Sequence, residues 1–110
     1  IVEIMKALGD DTRLRMLYLL HKETLCVCDI ETVLHASRHL TRLKMANIII
    51  GEKQAQWVYY RINSSAVECY SFLSNLLSDL ERWPQAQKDL TRLKKYRLYG
   101  GDCEHQVSID

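Results

Sequence analysis

The chain has 110 residues, 47% of them hydrophobic and 26% charged, with a formal net charge of +1. That length suits one domain with a modest core. The near-neutral balance argues against indiscriminate coating of nucleic acid and leaves room for a local basic patch. The longest apolar run, Ile48-Ile49-Ile50, is a strand signal and far too short to span a bilayer. No secretory signal is visible, which points to the cytoplasm; because the chain begins at Ile1 rather than Met, an N-terminal piece beyond it is expected.

In chain order, Ile1, Ile4, Met5 and Leu8 recur at helical spacing and Gly9 stops that helix. Asp10 can cap the next, where Leu14, Leu17, Leu20 and His21 share a face and Arg13 and Arg15 point elsewhere, toward phosphates or toward Asp10 and Asp11. Thr24 is expected to open a third helix through about Leu34. A fourth run, Ala36 to Asn47, turns Leu40 and Leu43 inward and leaves Ser37, Arg38, Thr41, Arg42 and Lys44 largely outward. The pattern then becomes strand-like: Ile48-Ile49-Ile50, a polar turn from Gly51 to Gln56, and the alternating Trp57-Val58-Tyr59-Tyr60-Arg61-Ile62 read as a β-hairpin. After Asn63-Ser64-Ser65 a long helix carries Val67, Tyr70, Phe72, Leu73, Leu76, Leu77 and Leu80, and Pro84 breaks or kinks it. A charged amphipathic segment runs to about Leu98, and Gly100-Gly101 ends order.

Four helices, a hairpin and a further helix make a mainly α fold with a small β-hairpin, the layout of a winged helix-turn-helix. The expected division is a DNA-binding and dimerisation domain over residues 1–98 and a C-terminal tail over 99–110. The long last helix has more apolar surface than so small a domain can cover, so a homodimer is expected.

The stretch Leu25-Cys26-Val27-Cys28-Asp29 carries the chemistry. With no export signal and a composition unlike a disulfide scaffold, reduced thiols serving a metal or metalloid are the favoured reading of Cys26, Cys28, Cys69 and Cys103. Thiolates are soft donors, and a helix N-terminus primes a thiol for ligation by lowering its pKa. Cys69, beside Val67 and Tyr70, reads as a buried structural cysteine. On a helix, residues two apart point about 200° apart, so ion binding by Cys26 and Cys28 is expected to distort the first helical turn and weaken DNA binding, with a coupling of roughly 1–3 kcal/mol per site.

Lys6-Ala7-Leu8-Gly9-Asp10 followed by Thr12-Arg13-Leu14-Arg15-Met16-Leu17 resembles the opening signature of the ArsR/SmtB family of metal-responsive bacterial repressors. Leu25-Cys26-Val27-Cys28-Asp29-Ile30 is similar to the sensing motif of its arsenical branch, Ser37-Arg38-His39-Leu40-Thr41-Arg42-Leu43 to its recognition helix, and Trp57 to Ile62 to the returning strand of its wing. The resemblance implies a repressor, not an enzyme, that leaves operator double-stranded DNA on binding As(III) or Sb(III) as inducer, with no permanent cofactor and no membrane partner. It places Ser37, Arg38, His39, Thr41 and Arg42 toward the DNA groove, with a packed core residue as the lesser alternative for His39. Lys53, Gln54 and Gln56 lie in the wing, and the bland reading of Lys53 is a solvated turn lysine.

The chain departs from the family pattern twice. The family has several more residues between the third helix and Ser37, whereas Leu34-His35 here runs straight into Ala36-Ser37. Either the turn is truncated, or residues are missing between His35 and Ala36, which is the reading favoured. The arsenical branch often supplies a third cysteine three residues after the second, and Glu31 stands there instead. Trivalent arsenic favours three sulfurs, so Cys103 is the candidate to complete a site with Cys26 and Cys28, from the same chain or from a second subunit. Two other readings remain: a redox-responsive repressor whose cysteines form a disulfide, and a thiol enzyme of arsenic detoxification. The latter would need a Cys-x-x-Cys on a strand-helix turn or an anion-binding loop, and the sequence offers neither.

Overall fold

The structure, a computed structural model, describes residues 1–109. Helix α1 (Val2–Leu8) stops at Gly9, and α2 (Asp11–Lys22) starts beneath Asp10, whose Oδ1 accepts the Arg13 amide at 3.0 Å. Five consecutive residues of α2, Met16 to Leu20, are buried. A helix buried on every side is the centre of a core rather than one wall of it. His21, expected on the inner face, is exposed, while Tyr18 and Leu19 are inside.

The next element differs from the expected helix at Thr24. Leu25–Cys26 form a short strand, β1, and helix α3 (Val27–Leu34) begins after it, with Cys26 in extended conformation as its N-cap. The third helix closes at His35, which is left-handed (φ 56°, ψ 34°). Ala36 joins it directly to a single 3-10 turn (Ser37–His39) and then α4 (Leu40–Met45). The segment that follows is short, three residues of 3-10 helix and six of α-helix.

Strands β2 (Ile49–Gln54) and β3 (Trp57–Ile62) form the expected antiparallel hairpin, but residues 51–54, expected in the turn, continue the first strand, and the turn is only Ala55-Gln56 with Ala55 at φ 56°. β1 adds to the other edge of β3, pairing Leu25 with Tyr60 and Cys26 with Tyr59, so the sheet order is β1-β3-β2. The hairpin is thereby tied to the thiol segment by backbone hydrogen bonds, a link with no local sequence signal.

The long helix expected after the hairpin is two helices, α5 (Ser64–Cys69) and α6 (Ser71–Leu80), parted at Tyr70, whose backbone is extended (φ −120°, ψ 94°). Asn63 caps α5 by accepting the Ser65 amide at 3.1 Å. Pro84 does not kink a helix but opens α7 (Pro84–Leu98), the position where a missing amide donor costs nothing. α7 turns Ala86, Asp89, Leu93 and Tyr96 inward against α2 and α3. Its ion pairs with α2 and the residue that caps it, Arg15–Asp89 and Arg97–Glu23, both join residues 74 apart in sequence, so α2 and α7 run parallel.

Beyond Gly100 the chain folds back as a strap rather than ending as a loose tail. Gly101 lies so close to the Tyr96 ring that a Cβ there would sit 2.4 Å from a ring carbon. Cys103 and Ile109 are buried, and Lys95 Nζ donates to the Ile109 carbonyl at 3.2 Å. Asp110, the last residue of the expected tail, lies outside the described residues. Among the described residues no helix is long and apolar enough to cross a membrane.

Candidate functional site

Two groups of residues singled out in the sequence meet on opposite ends of α3. At its C-terminal end stands the recognition segment. Arg38, Thr41 and Arg42 are exposed, as is Lys44, and Ser37 and His39 are half-buried. Leu40 and Leu43 face the core and fix which side of α4 is presented. His39 is neither free in solvent nor in the core: its Nδ1 lies 3.4 Å from Arg13 Nη1. Arg13 is itself tethered, donating to the Ala7 carbonyl at 2.5 Å, and Arg15 is held by Asp89 through two hydrogen bonds of 2.8 and 2.9 Å. Neither arginine is a loose phosphate contact. Lys53, Gln54 and Gln56 are exposed at the tip of the hairpin.

Glu31 couples α3 to this segment. Its Oε2 accepts the Ser37 hydroxyl at 2.7 Å and the Ser37 amide at 3.2 Å, and these bonds, the hydroxyl first, hold its carboxyl below the ordinary 4.5. A depressed folded-state pKa means that the link stabilises the fold above that ordinary value and is lost as pH falls through the lowered one. In an acid titration followed by NMR, the Ser37 amide shift is expected to move with a midpoint below 4.5. A midpoint at or above it would remove the link.

At the N-terminal end of α3 the structure brings together two of the three cysteines selected for ion binding. Cys26 (1% exposed) and Cys103 (4% exposed) are joined as a disulfide with their Cα atoms 6.4 Å apart. The expectation that all the thiols are reduced is not met in this structure. Cys28 stands outside the pair as a half-buried free thiol. Cys69, expected to be buried, is free and exposed. The premise that Cys26 and Cys28 oppose each other on one helix also changes, because Cys26 precedes the helix as its cap.

The residue that organises this pair, Asp29, was not selected from the sequence. It is 1% exposed. Its Oδ2 accepts the Cys26 amide at 3.1 Å, which completes a capping box, and Arg97 Nη2 donates to the same oxygen at 3.0 Å. The Tyr96 hydroxyl lies 2.8 Å from Asp29 Oδ1 and 3.0 Å from the Asp102 carbonyl. A phenol has one proton to give, and the carboxylate is the stronger acceptor. Burial, and then this contact with Asp29, push the Tyr96 pKa up, so it remains a neutral donor. Arg97 also donates to Glu23 at 2.7 Å and to the Gly101 carbonyl at 3.0 Å. Burial opposes its charge, but the two carboxylates outweigh that and raise its pKa. Strap, α7 and α3 therefore meet on one buried carboxylate.

Ligand atoms of Cys26, Asp29 and Cys103 lie within 4.8 Å of one another. Once reduced, the two sulfurs form a pair of soft donors suited to a thiophilic ion or metalloid. The carboxylate is hard, and Arg97, Tyr96 and the Cys26 amide already use its lone pairs. It positions the pair rather than adding to it. The sequence held one signal for it, a carboxylate three residues after a residue that can cap a helix.

Residues 10–50 match the model described as "Bacterial regulatory protein, arsR family". The arsenic resistance transcriptional regulator ArsR1 of Pseudomonas putida is 42% identical, over 54% of this chain and 52% of its own. A homolog of the cadmium resistance transcriptional regulatory protein CadC from Staphylococcus aureus is 36% identical over 62% and 61%. In three dimensions the transcriptional regulator HlyU of Vibrio vulnificus superposes with a TM-score of 0.57 at 31% identity, covering 72% of this chain and 84% of HlyU. The chain belongs to the ArsR family of bacterial regulatory proteins, a family of transcriptional regulators rather than enzymes, and its fold is the winged helix-turn-helix. It spans about half the length of the arsenic regulators it matches.

Proposed function

We propose that the chain is a cytoplasmic transcriptional repressor that binds operator DNA as a homodimer and leaves it when trivalent arsenic or antimony is captured by cysteine thiolates. The observation that carries this reading is the convergence of Cys26 and Cys103 at the start of α3, the helix whose other end holds the recognition segment through Glu31 and Ser37. Arg38 and Arg42 would reach base edges or phosphates. Ser37, His39 and Thr41 would add shorter polar contacts, and Lys53, Gln54 and Gln56 would touch the neighbouring backbone from the wing.

Cys26 and Cys103 would supply two sulfurs, and Cys28 the third that a bare ion calls for. Cys26 also caps α3, so capture of its sulfur removes a cap while pulling on the strap. Bringing Cys28 in would unwind the first turn. Either movement travels along one rigid helix of eight residues to Ser37. The CadC-like relative leaves cadmium as an inducer that the same titration should include. A redox-responsive repressor is the second reading, and the Cys26–Cys103 disulfide is the observation in its favour.

The test is operator binding by fluorescence anisotropy with reduced protein under arsenite titration. Release is expected in wild type, with affinity falling roughly 10–100-fold, and is expected to be lost in Cys26→Ser and Cys103→Ser. Unchanged operator affinity at saturating arsenite would sink the proposal. Release by a disulfide oxidant alone would favour the redox reading.

A further inference from the structure

We infer that Arg13 fixes the ring of His39 so that its Nε2–H reads a purine N7 in the operator. His39 is then a specificity-determining residue and Arg13 its positioning residue. This rests on the proposed reading of residues 37–42 as the DNA-facing segment, and names what one of them recognises.

The geometry begins at the end of α1, where carbonyls favour a cation. Arg13 grips two of them, donating from Nε to Ala7 at 2.5 Å and from Nη2 to Lys6 at 3.4 Å. Asp10 Oδ2 stands 4.0 Å from Nη1. Anchored on that side, the guanidinium brings Nη1 to 3.4 Å from His39 Nδ1, across 26 positions of sequence. A guanidinium has only protons to give, so Nδ1 must accept. A ring nitrogen that accepts carries no proton, which leaves the one N–H of the imidazole on Nε2. Among the described residues Nε2 has no hydrogen-bond partner, and no buried side-chain nitrogen or oxygen lacks one. Nε2 therefore reaches solvent as a donor.

His39 ends the 3-10 turn and stands immediately before α4, while Leu40 and Leu43 hold the other side in the core. In a helix-turn-helix the N-terminal residues of the recognition helix meet base edges. A single outward donor selects those edges by what they present. It takes the N7 acceptor that adenine and guanine share in the major groove, and gains nothing from the amino group of cytosine. The expected readout is purine over cytosine at one position, coarser than the two-bond choice open to Arg38 and Arg42.

The probe is the duplex that the wild-type chain enriches from random-sequence DNA. It is resynthesised with 7-deazapurine at one purine at a time, which replaces N7 by C–H. Affinities are measured by fluorescence anisotropy for wild type, His39→Asn, His39→Gln and Arg13→Met. The Asn amide occupies the place of Nδ1 only, whereas the Gln amide reaches the place of Nε2 and keeps a donor there. Met keeps the stem of Arg13 without the guanidinium. The proton on the neutral ring is located by long-range 1H–15N NMR, at a pH above the ordinary histidine range.

At one purine the deaza substitution is expected to weaken wild-type binding roughly 3–10-fold, the worth of one hydrogen bond. His39→Gln is expected to keep that loss and His39→Asn to abolish it, binding both duplexes alike. Arg13→Met is expected to shrink it and to bring up the Nδ1–H form of a ring that is Nε2–H in wild type. A purely structural Arg13 would weaken every duplex by the same factor and leave the ring unchanged, which would overturn its positioning role. An Nδ1–H ring in wild type, or deaza losses that all persist in His39→Asn, would overturn the inference alone. Enrichment of no sequence would overturn the DNA-binding reading with it. Arsenite is absent throughout, so the outcome does not depend on what releases the chain.

Discussion

Replacing Asp29 with alanine is expected to lower the unfolding free energy by about 3 kcal/mol, the low end of what breaking a buried ion pair costs. The low end applies because Arg97, left without Asp29, keeps Glu23 and is 32% exposed. The Cys26 amide loses its acceptor, and the Tyr96 hydroxyl is left to the Asp102 carbonyl 3.0 Å away. Urea unfolding measures the loss. Glu52→Ala is the control, since it breaks an exposed pair with Arg61 that is worth well under about 1 kcal/mol. A loss for Asp29→Ala no larger than the control's would show that Asp29 is not the joint described above.

Reduction of the disulfide is the second large effect. Cys26 and Cys103 are separated by 77 residues, so the bond closes most of the chain into one loop. On the chain-entropy model a loop of that size stabilises by about 4.5 kcal/mol. Thermal unfolding with and without a phosphine reductant is expected to show this difference in wild type and none in Cys103→Ser. Identical melting curves for the two states of the wild type would mean that the pair does not form. The oxidised protein is also expected to take up no arsenite, because both sulfurs are already bonded to each other.

What the sequence disclosed, and what it hid, divides along the reach of the forces involved. Gly9 as a stop, Asp10 as a cap and the hairpin from Ile49 to Ile62 rest on neighbours in the chain, and all were readable. β1 was not, since two residues carry no period and their partners, Tyr59 and Tyr60, lie more than thirty positions away. The break at Tyr70 has no glycine or proline to announce it. Pro84 was read as a breaker, although proline at the first helical position is equally regular.

At the site, the cysteines were legible as soft donors, but not which two would meet, because Cys103 is placed by the whole length of α7 and the strap. Neither Asp29 nor Asp89 was singled out, and both are buried. For Asp89 the clue was its place on an apolar stripe with Ala86, Leu93 and Tyr96.

The parallel run of α2 and α7 has a consequence for how the chain can vary. Its two clamps, Arg15–Asp89 and Glu23–Arg97, sit at a common offset, like two teeth of a rack. One residue inserted between Asp89 and Arg97 turns everything beyond it by about 100°, carrying Arg97 off Glu23 and Asp29 and Cys103 away from Cys26. An insertion after α6, before Pro84, lengthens a connection and leaves the rack engaged. Length changes are therefore tolerated ahead of α7 and forbidden within it, which makes that helix a ruler setting the distance between the last cysteine and the first.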